Sequence, residues 1–310
     1  MSVSSELYRG VFPILPTPFT SSGAVDVESQ ARLIRHHNNT GVHGVCVLGF
    51  MGEAHNISDA ERKEILSATR DNKSKELVLW SGIRALGTIG AVQQAQEAEA
   101  YGIDAVYVAP LPVQNDEAQY QHYKSVSEAV SIPVAIHDYP GIFGGIKHSP
   151  ELIKRLVDDE ITPYIKLEDE PVGPKTSKLR CLVGDRIGIF GGLGAVYMAE
   201  EMERGANGIM SGFSFPEVLI RIFNLFESGN HDEANRVFDT YASVFRYEFQ
   251  PGLGLSFRKH VYNKMGIITS DFIRSPSPVA DNFTLAEYER VLARTGLHLN
   301  VAELDAQEPG

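Results

Sequence analysis

The chain has 310 residues, of which 43% are hydrophobic and 22% charged, a balance typical of a folded globular protein with one large domain and an appendage. Its formal net charge of −12, with no basic block to offset it, argues against nucleic acid and anionic membranes as partners. Two cysteines, no signal-like start and no run of eighteen apolar residues predict a cytoplasmic protein without a disulfide framework or membrane span.

Apolar runs alternate with amphipathic stretches along most of the chain. Ser58 and Glu61 form a capping box that predicts a helix start, and Ser149 before Pro150 predicts another. Glycines lie where helices are expected to end, just before the next strand, at positions 41, 102 and 205. The apolar runs predict eight strands, at residues 11–16, 42–48, 76–82, 104–109, 132–139, 161–167, 186–191 and 206–211.

Eight strand-then-helix units indicate an α/β fold, a (β/α)8 TIM barrel over residues 8–225, with a doubly wound open sheet as the alternative. The remaining segment, 226–310, contains no strand pattern. It predicts a C-terminal appendage of three helices, the last opened by Thr284, at residues 230–250, 253–266 and 284–296.

Lys166 ends a short apolar run that begins at Ile161. A lysine in such a place is either paired with a neighbouring carboxylate or needed for its amine. Buried lysines bind their proton less tightly, and a neutral amine can attack a ketone to form a Schiff base. Glu168 offers the pairing alternative, so the local sequence leaves both readings open.

In a TIM barrel the active site lies at the carboxyl ends of the strands, where Lys166 is predicted to be. Two other strand ends carry polar or conformationally special residues. The turn from Gly49 to Glu53 has backbone N–H groups that could hold a carboxylate, or is simply a tight βα turn. His137 and Tyr139 lie at the end of the fifth strand.

The ordered set of motifs resembles the Schiff-base aldolases and dehydratases that include dihydrodipicolinate synthase and N-acetylneuraminate lyase. The likeness covers nearly the whole chain, and it implies a barrel with C-terminal helices, a homo-oligomer (tetramer or dimer) and Lys166 as the lysine that forms an imine with a 2-keto acid. Its motifs are Thr17-Pro18-Phe19, Gly49-x-x-Gly52-Glu53, Ser58-Asp59-Ala60-Glu61-Arg62, Ile165-Lys166, the run 205–211 and Arg274-Ser275-Pro276.

The chain departs from the family at its proton relay. Phe50 and Met51 replace two hydroxyl residues, His137 stands at the catalytic tyrosine, and Leu111-Pro112 replaces a tyrosine pair. Ile142 stands where dihydrodipicolinate synthase has the arginine that binds its aldehyde substrate. Lysine biosynthesis is therefore not the expected role.

What remains resembles the 2-keto-3-deoxy-sugar-acid branch typified by L-2-keto-3-deoxyarabonate dehydratase, which has a glutamate two residues after the Schiff-base lysine, as Glu168 is here. We expect Glu168 to remove the C3 proton of the imine and His137, with an ordinary pKa of about 6.5, to be the acid. For each we keep the alternative of an ion-paired or packed side chain. The expected substrate-binding residues are Phe50, Met51, Gly52, Tyr139, Gly191, Gly192, Met210 and Ser211.

The predicted function is a lyase that dehydrates a 2-keto-3-deoxy sugar acid, without metal or cofactor. Retro-aldol cleavage to pyruvate and an aldehyde is the first alternative. A keto-acid-binding barrel that has lost turnover is the second, because the missing relay allows it. A metal site built from Glu168, Asp169 and Glu170 with His137 is disfavoured because adjacent strand residues alternate in direction.

Overall fold

The computed structural model describes residues 7–299 of the protein. Its eight strands are β1 (Gly10–Val11), β2 (Gly44–Val47), β3 (Val78–Ile83), β4 (Ala105–Val108), β5 (Val134–Asp138), β6 (Tyr164–Leu167), β7 (Gly188–Gly191) and β8 (Gly208–Ile209). They pair in parallel in the order β1-β8-β7-β6-β5-β4-β3-β2.

The sheet closes on itself between β1 and β2. Cys46 N–H donates to Pro13 O and Leu15 N–H donates to Cys46 O, both at 2.8 Å. The barrel prediction is thus confirmed and the open sheet is wrong. β1 is shorter than the predicted run 11–16, because Pro13 and Pro16 have no N–H to donate to a ladder.

Helices follow the strands around the outside. They are α1 (Val27–Asn39), α2 (Asp59–Asn72), α3 (Thr88–Ala100), α4 (Asp116–Glu128), α5 (Pro150–Asp158), α6 (Val172–Val183), α7 (Met198–Glu203), α8 (Pro216–Glu227), α9 (His231–Glu248), α10 (Gly254–Lys264) and α11 (Asn282–Arg294). No helix within residues 7–299 is both long and apolar enough to cross a bilayer.

The start signals read from the sequence act as predicted at two helices. The capping box of Ser58 and Glu61 opens α2, and Ser149 caps α5 with Pro150 in its first turn. At α11 the predicted start is wrong. The helix begins two residues earlier, because the Asp281 carboxylate accepts the Thr284 N–H at 2.7 Å and so forms the cap.

Aromatic side chains fill the interior of the barrel below the strand ends. Trp80 lies 5.3 Å from Tyr164 and 6.1 Å from Phe190, measured between ring centroids, and Phe12 lies 5.1 Å from Phe190. All four are buried. Tyr164 is two residues before Lys166 on β6, so this packed layer lies next to Lys166 inside the barrel.

The end of α9 and α10 contact loops at the carboxyl ends of the strands, and α11 packs on these two helices. Glu248 at the end of α9 accepts the Ser214 N–H at 3.2 Å, just after β8. Lys259 of α10 donates to Glu53, after β2, at 2.6 Å. The expected boundary between barrel and appendage, after residue 225, falls within α8. Residues 300–310 of the predicted appendage lie outside the described part of the chain. The division of the chain into two domains therefore stays a prediction.

Candidate active site

Lys166 and His137 lie side by side at the mouth of the barrel. β5 and β6 are adjacent, and His137 is the register partner of Lys166. In both strands alternate residues face the interior, so both side chains point into the barrel, where they are 2% and 5% exposed. Lys166 Nζ lies 3.4 Å from His137 Nε2.

Glu168 joins this pair from the residue after β6. Its Oε2 accepts from Lys166 Nζ in a short contact and lies 2.9 Å from His137 Nε2. Its Oε1 accepts the Leu193 N–H at 2.8 Å. Gly192 makes this approach possible, since a Cβ there would lie 2.2 Å from Glu168 Oε1. One buried carboxylate therefore contacts both the amine and the imidazole.

The environment fixes the charges of this cluster. Burial raises the pKa of Glu168, but the Lys166 charge and the His137 hydrogen bond outweigh it and lower that pKa to about 2. Burial, followed by repulsion from Lys166, lowers the pKa of His137 to about 3. At neutral pH Glu168 is ionised and His137 is neutral, so the expectation that His137 keeps an ordinary pKa is corrected.

A neutral His137 has one N–H to give. Because Glu168 Oε2 is an acceptor at 2.9 Å, we place the proton on Nε2, and Nδ1 has no hydrogen-bond partner among the described residues. The imidazole ring is held by aromatic neighbours, with Tyr107 at 5.3 Å and Phe143 at 5.0 Å between centroids. His137 thus holds Glu168 in position.

A cavity of about 240 Å³ opens in front of the cluster. It is lined by Lys166, His137 and Glu168, and five of the predicted binding residues also line it: Phe50, Met51, Tyr139, Met210 and Ser211. Ile142, at the position where the resemblance places an arginine in dihydrodipicolinate synthase, contributes an apolar wall to the cavity.

Three predicted binding residues do not line this cavity, namely Gly52, Gly191 and Gly192. Gly52 O accepts from Thr17 Oγ1 at 2.6 Å, inside the turn after β2. A Cβ on Gly191 would lie 2.0 Å from Glu201 Oε2, so this glycine makes room for a buried carboxyl behind β7. The glycines shape the walls, and direct contact with a ligand stays a prediction for them.

The turn after β2 carries two backbone donors that have no acceptor in the described structure. The N–H groups of Phe50 and Met51 have no acceptor within residues 7–299, and both residues line the cavity. Glu53, with φ of +53°, is buried behind the turn, where it accepts from Lys259 Nζ at 2.6 Å and from Arg274 N at 3.0 Å. Glu53 therefore supports the turn from behind.

Sequence reasoning missed several cavity residues. Tyr107, within the predicted strand 104–109, was not among the predicted site residues, yet it lines the cavity and its buried hydroxyl has no partner in the described structure. Glu248 and Arg258 come from α9 and α10, far along the chain from Lys166. Their only sequence signal is a charge at an otherwise buried helix position, which is weak.

The three consecutive carboxylates after β6 point in different directions. Glu168 faces Lys166, Asp169 accepts from Lys147 and Lys175 at 2.8 and 2.9 Å, and Glu170 accepts from Tyr197 at 3.0 Å. Within residues 7–299 no group of three or more His, Cys, Asp or Glu side chains is arranged to hold a metal ion.

Comparison with known proteins gives consistent matches along the chain. The model of the dihydrodipicolinate synthetase family matches residues 7–294. L-2-keto-3-deoxyarabonate dehydratase of Azospirillum brasilense is 27% identical and covers 94% of this chain and 96% of its own. The 4-hydroxy-tetrahydrodipicolinate synthase of Chlorobium luteolum is also 27% identical, covering 95% and 100%. The crystal structure of dihydrodipicolinate synthase from Rhodopseudomonas palustris is 31% identical, covers 94% and 100%, and superimposes with a TM-score of 0.87.

Proposed function

Because the chain belongs to the dihydrodipicolinate synthetase family and is therefore a Schiff-base-forming lyase, we propose that it dehydrates a 2-keto-3-deoxy sugar acid through an imine on Lys166. The observation that carries this proposal is the contact of the Glu168 carboxylate with the Lys166 amine inside the cavity. A base beside the imine nitrogen is placed to reach C3, the carbon bonded to the imine carbon C2.

The first half of the reaction uses Lys166 and the turn after β2. The free N–H groups of Phe50 and Met51 bind the substrate carboxylate. The neutral amine of Lys166 attacks the C2 ketone, and the carbinolamine takes one proton from solvent and loses one water to give a protonated imine. The positive imine nitrogen then draws electrons from the C2–C3 bond and makes the C3 proton acidic.

The second half uses Glu168 twice. Its carboxylate takes the C3 proton, and the electron pair of that C–H bond forms an enamine. The protonated Glu168 then gives this proton to the C4 hydroxyl, which leaves as water while a C3–C4 double bond forms in conjugation with the imine. Hydrolysis of the imine releases the product and frees Lys166. Because His137 is neutral at this site, we assign the acid role to Glu168 and the role of holding it to His137.

The environment of Ile142 argues against dihydrodipicolinate synthesis. The apolar side chain of Ile142 lines the cavity at the position where that reaction is expected to use an arginine to bind the carboxylate of the aldehyde substrate. Retro-aldol cleavage needs a base at the C4 hydroxyl rather than at C3, so it uses the same imine but a different placement of Glu168. A dehydratase among the relatives supports the first choice.

The test is an activity panel combined with chemical trapping. The enzyme is incubated with 2-keto-3-deoxypentonate and hexonate, and products are identified by mass spectrometry. We expect loss of one water, and borohydride reduction with pyruvate should add the ligand's mass to the peptide containing Lys166. Release of pyruvate with an aldehyde would establish the aldolase instead. Trapping without any product would establish a binding barrel.

We also propose a homo-oligomer, a tetramer or dimer, in the cytoplasm. Leu86, just before α3, and Ile89, in the first turn of α3, are 66% and 78% exposed, and two large apolar side chains so close together are typical of a surface that a second copy covers. Sedimentation velocity tests this, since a monomer at micromolar concentration would contradict it.

A further inference from the structure

The cavity contains a second polar pair, supplied by the C-terminal helices. Arg258 of α10 and Glu248 of α9 line it from a different wall than Lys166. Their side chains are 4% and 0% exposed, and Arg258 Nε lies 3.3 Å from Glu248 Oε2. Nothing in the proposed chemistry at Lys166 uses either group.

Arg258 has one buried donor without an acceptor. Its Nε is buried and has no hydrogen-bond partner in the part of the chain that the structure describes, although Glu248 Oε2 balances its charge from 3.3 Å. A guanidinium donor buried in this way loses the hydrogen bond that water would give it. A ligand group in the cavity can supply the missing acceptor.

Two glycines let the backbone pack closely against the guanidinium. A Cβ on Gly212 would lie 3.0 Å from Arg258 Cζ, and a Cβ on Gly254 would lie 2.5 Å from Glu248 O and 3.0 Å from Arg258 Nη1. Side chains at these positions would displace the guanidinium. Close packing by two different elements therefore fixes the head group of Arg258 at the cavity wall.

Glu248 decides which ligand group fits here. It already accepts from the Tyr288 hydroxyl and from Ser214 N–H, and it balances the charge of Arg258. A carboxylate or phosphate on the ligand would satisfy Arg258 but would bring a second negative charge close to Glu248. A hydroxyl group can accept from Arg258 and donate to Glu248, so it suits both partners.

We propose that Arg258 and Glu248 bind the terminal hydroxyl of an uncharged sugar tail. The substrates are then 2-keto-3-deoxy aldonic acids, and acids with a second carboxylate or a phosphate at the far end are excluded. This inference rests on the proposed function, because it takes the keto end of the ligand to be held at Lys166.

The first test needs no variant. Three five-carbon substrates share C1 to C4 and differ only at C5: 2-keto-3-deoxypentonate (CH2OH), 4-hydroxy-2-ketopentanoate (CH3) and 4-hydroxy-2-ketoglutarate (carboxylate). We expect kcat/KM for the hydroxyl compound to exceed both others by about tenfold or more, the range for a lost hydrogen bond to a charged group. Equal values for the hydroxyl and methyl compounds, or preference for the carboxylate, would overturn the proposal.

The second test uses two variants of Arg258. Arg258→Met should lower kcat/KM for the hydroxyl compound by about tenfold or more and change it for the methyl compound by less than about threefold. Arg258→Lys keeps the charge beside Glu248, guards against loss of folding, and should retain part of the preference. An equal loss on both compounds in both variants would show a purely structural arginine and end the proposal.

A binding readout separates this subsite from the dehydration chemistry. Each compound is allowed to compete with pyruvate for borohydride trapping at Lys166. If none is turned over but the hydroxyl compound competes about tenfold better than the methyl compound, the subsite stands and the dehydratase proposal fails. If all three compete and react alike, the subsite fails while the lyase chemistry stands.

Discussion

His137 Nε2 lies 2.9 Å from Glu168 Oε2, and both side chains are almost fully buried. The contact joins a neutral imidazole to an ionised carboxylate, because the pKa of His137 is lowered to about 3 and that of Glu168 to about 2. The imidazole is thus a fixed donor that orients the Glu168 carboxylate beside Lys166.

We predict that His137→Ala lowers turnover by about ten- to a hundredfold while pyruvate trapping at Lys166 persists, because Glu168 loses the donor that holds it. His137→Gln is the matched variant, since its amide N–H can still donate to Glu168 but cannot exchange a proton. Partial recovery in the glutamine variant supports the holding role. Equal loss in both variants would return His137 to direct proton transfer.

Stability should decrease as the pH falls from about 6.5 toward 3. Burial lowers the pKa of both His137 and His37 to about 3, so below their ordinary pKa the unfolded chain binds protons that the folded chain does not. Urea unfolding at about pH 7 and pH 5 measures the difference. His137→Gln and His37→Gln should each reduce the change in unfolding free energy between these two pH values. If both variants lose as much stability as the wild type between about pH 7 and pH 5, the lowered pKa values of the two histidines are wrong.

The strand ends of the barrel explain how much of the site was predictable. Lys166, His137 and Glu168 could be brought together from sequence because parallel barrel strands place their carboxyl ends at one mouth. The charge of His137 could not be predicted from the sequence, since it depends on burial beside Lys166. The cavity wall formed by Arg258 and Glu248 could not be predicted either, because no local sequence pattern shows where α9 and α10 pack on the barrel.

The ion pair of Glu53 and Lys259 is fully buried and ties α10 to the turn after β2. We predict that Lys259→Met destabilises the fold by about 3–5 kcal/mol, because it leaves the Glu53 charge buried without this partner. The double variant Lys259→Met with Glu53→Gln removes both charges and should recover much of that loss. Urea denaturation measures both. If the single and double variants are equally unstable, the cost comes from packing rather than from the unpaired charge.

Tyr107 should matter to the bound ligand and little to the empty protein. Burial raises the pKa of Tyr107 well above its usual range, so its hydroxyl stays protonated, and it has no partner in the described structure. Tyr107→Phe should lower kcat/KM by about five- to tenfold, the value of one hydrogen bond, without loss of stability.

Tyr123→Phe is the matched control for this prediction. The Tyr123 hydroxyl is also buried, but it donates to Val108 O at 3.2 Å and lies 3.0 Å from His148 Nε2, away from the cavity lining. This variant should lose about 1 kcal/mol of stability and keep its kcat/KM. If Tyr107→Phe behaved like Tyr123→Phe, the Tyr107 hydroxyl would have no role in ligand binding.

Glu168 provides the sharpest separation of dehydratase from aldolase. We predict that Glu168→Gln abolishes water loss from 2-keto-3-deoxypentonate and leaves the trapped pyruvate adduct in place, because the amide keeps the shape of the side chain but cannot take the C3 proton. Substrate deuterated at C3 should react more slowly in the wild-type enzyme, unless product release is rate-limiting. Single-turnover measurements remove that masking step. Retro-aldol cleavage does not break the C3–H bond, so pyruvate and glycolaldehyde as main products, with no C3 isotope effect in a single turnover, would assign the enzyme to the aldolases.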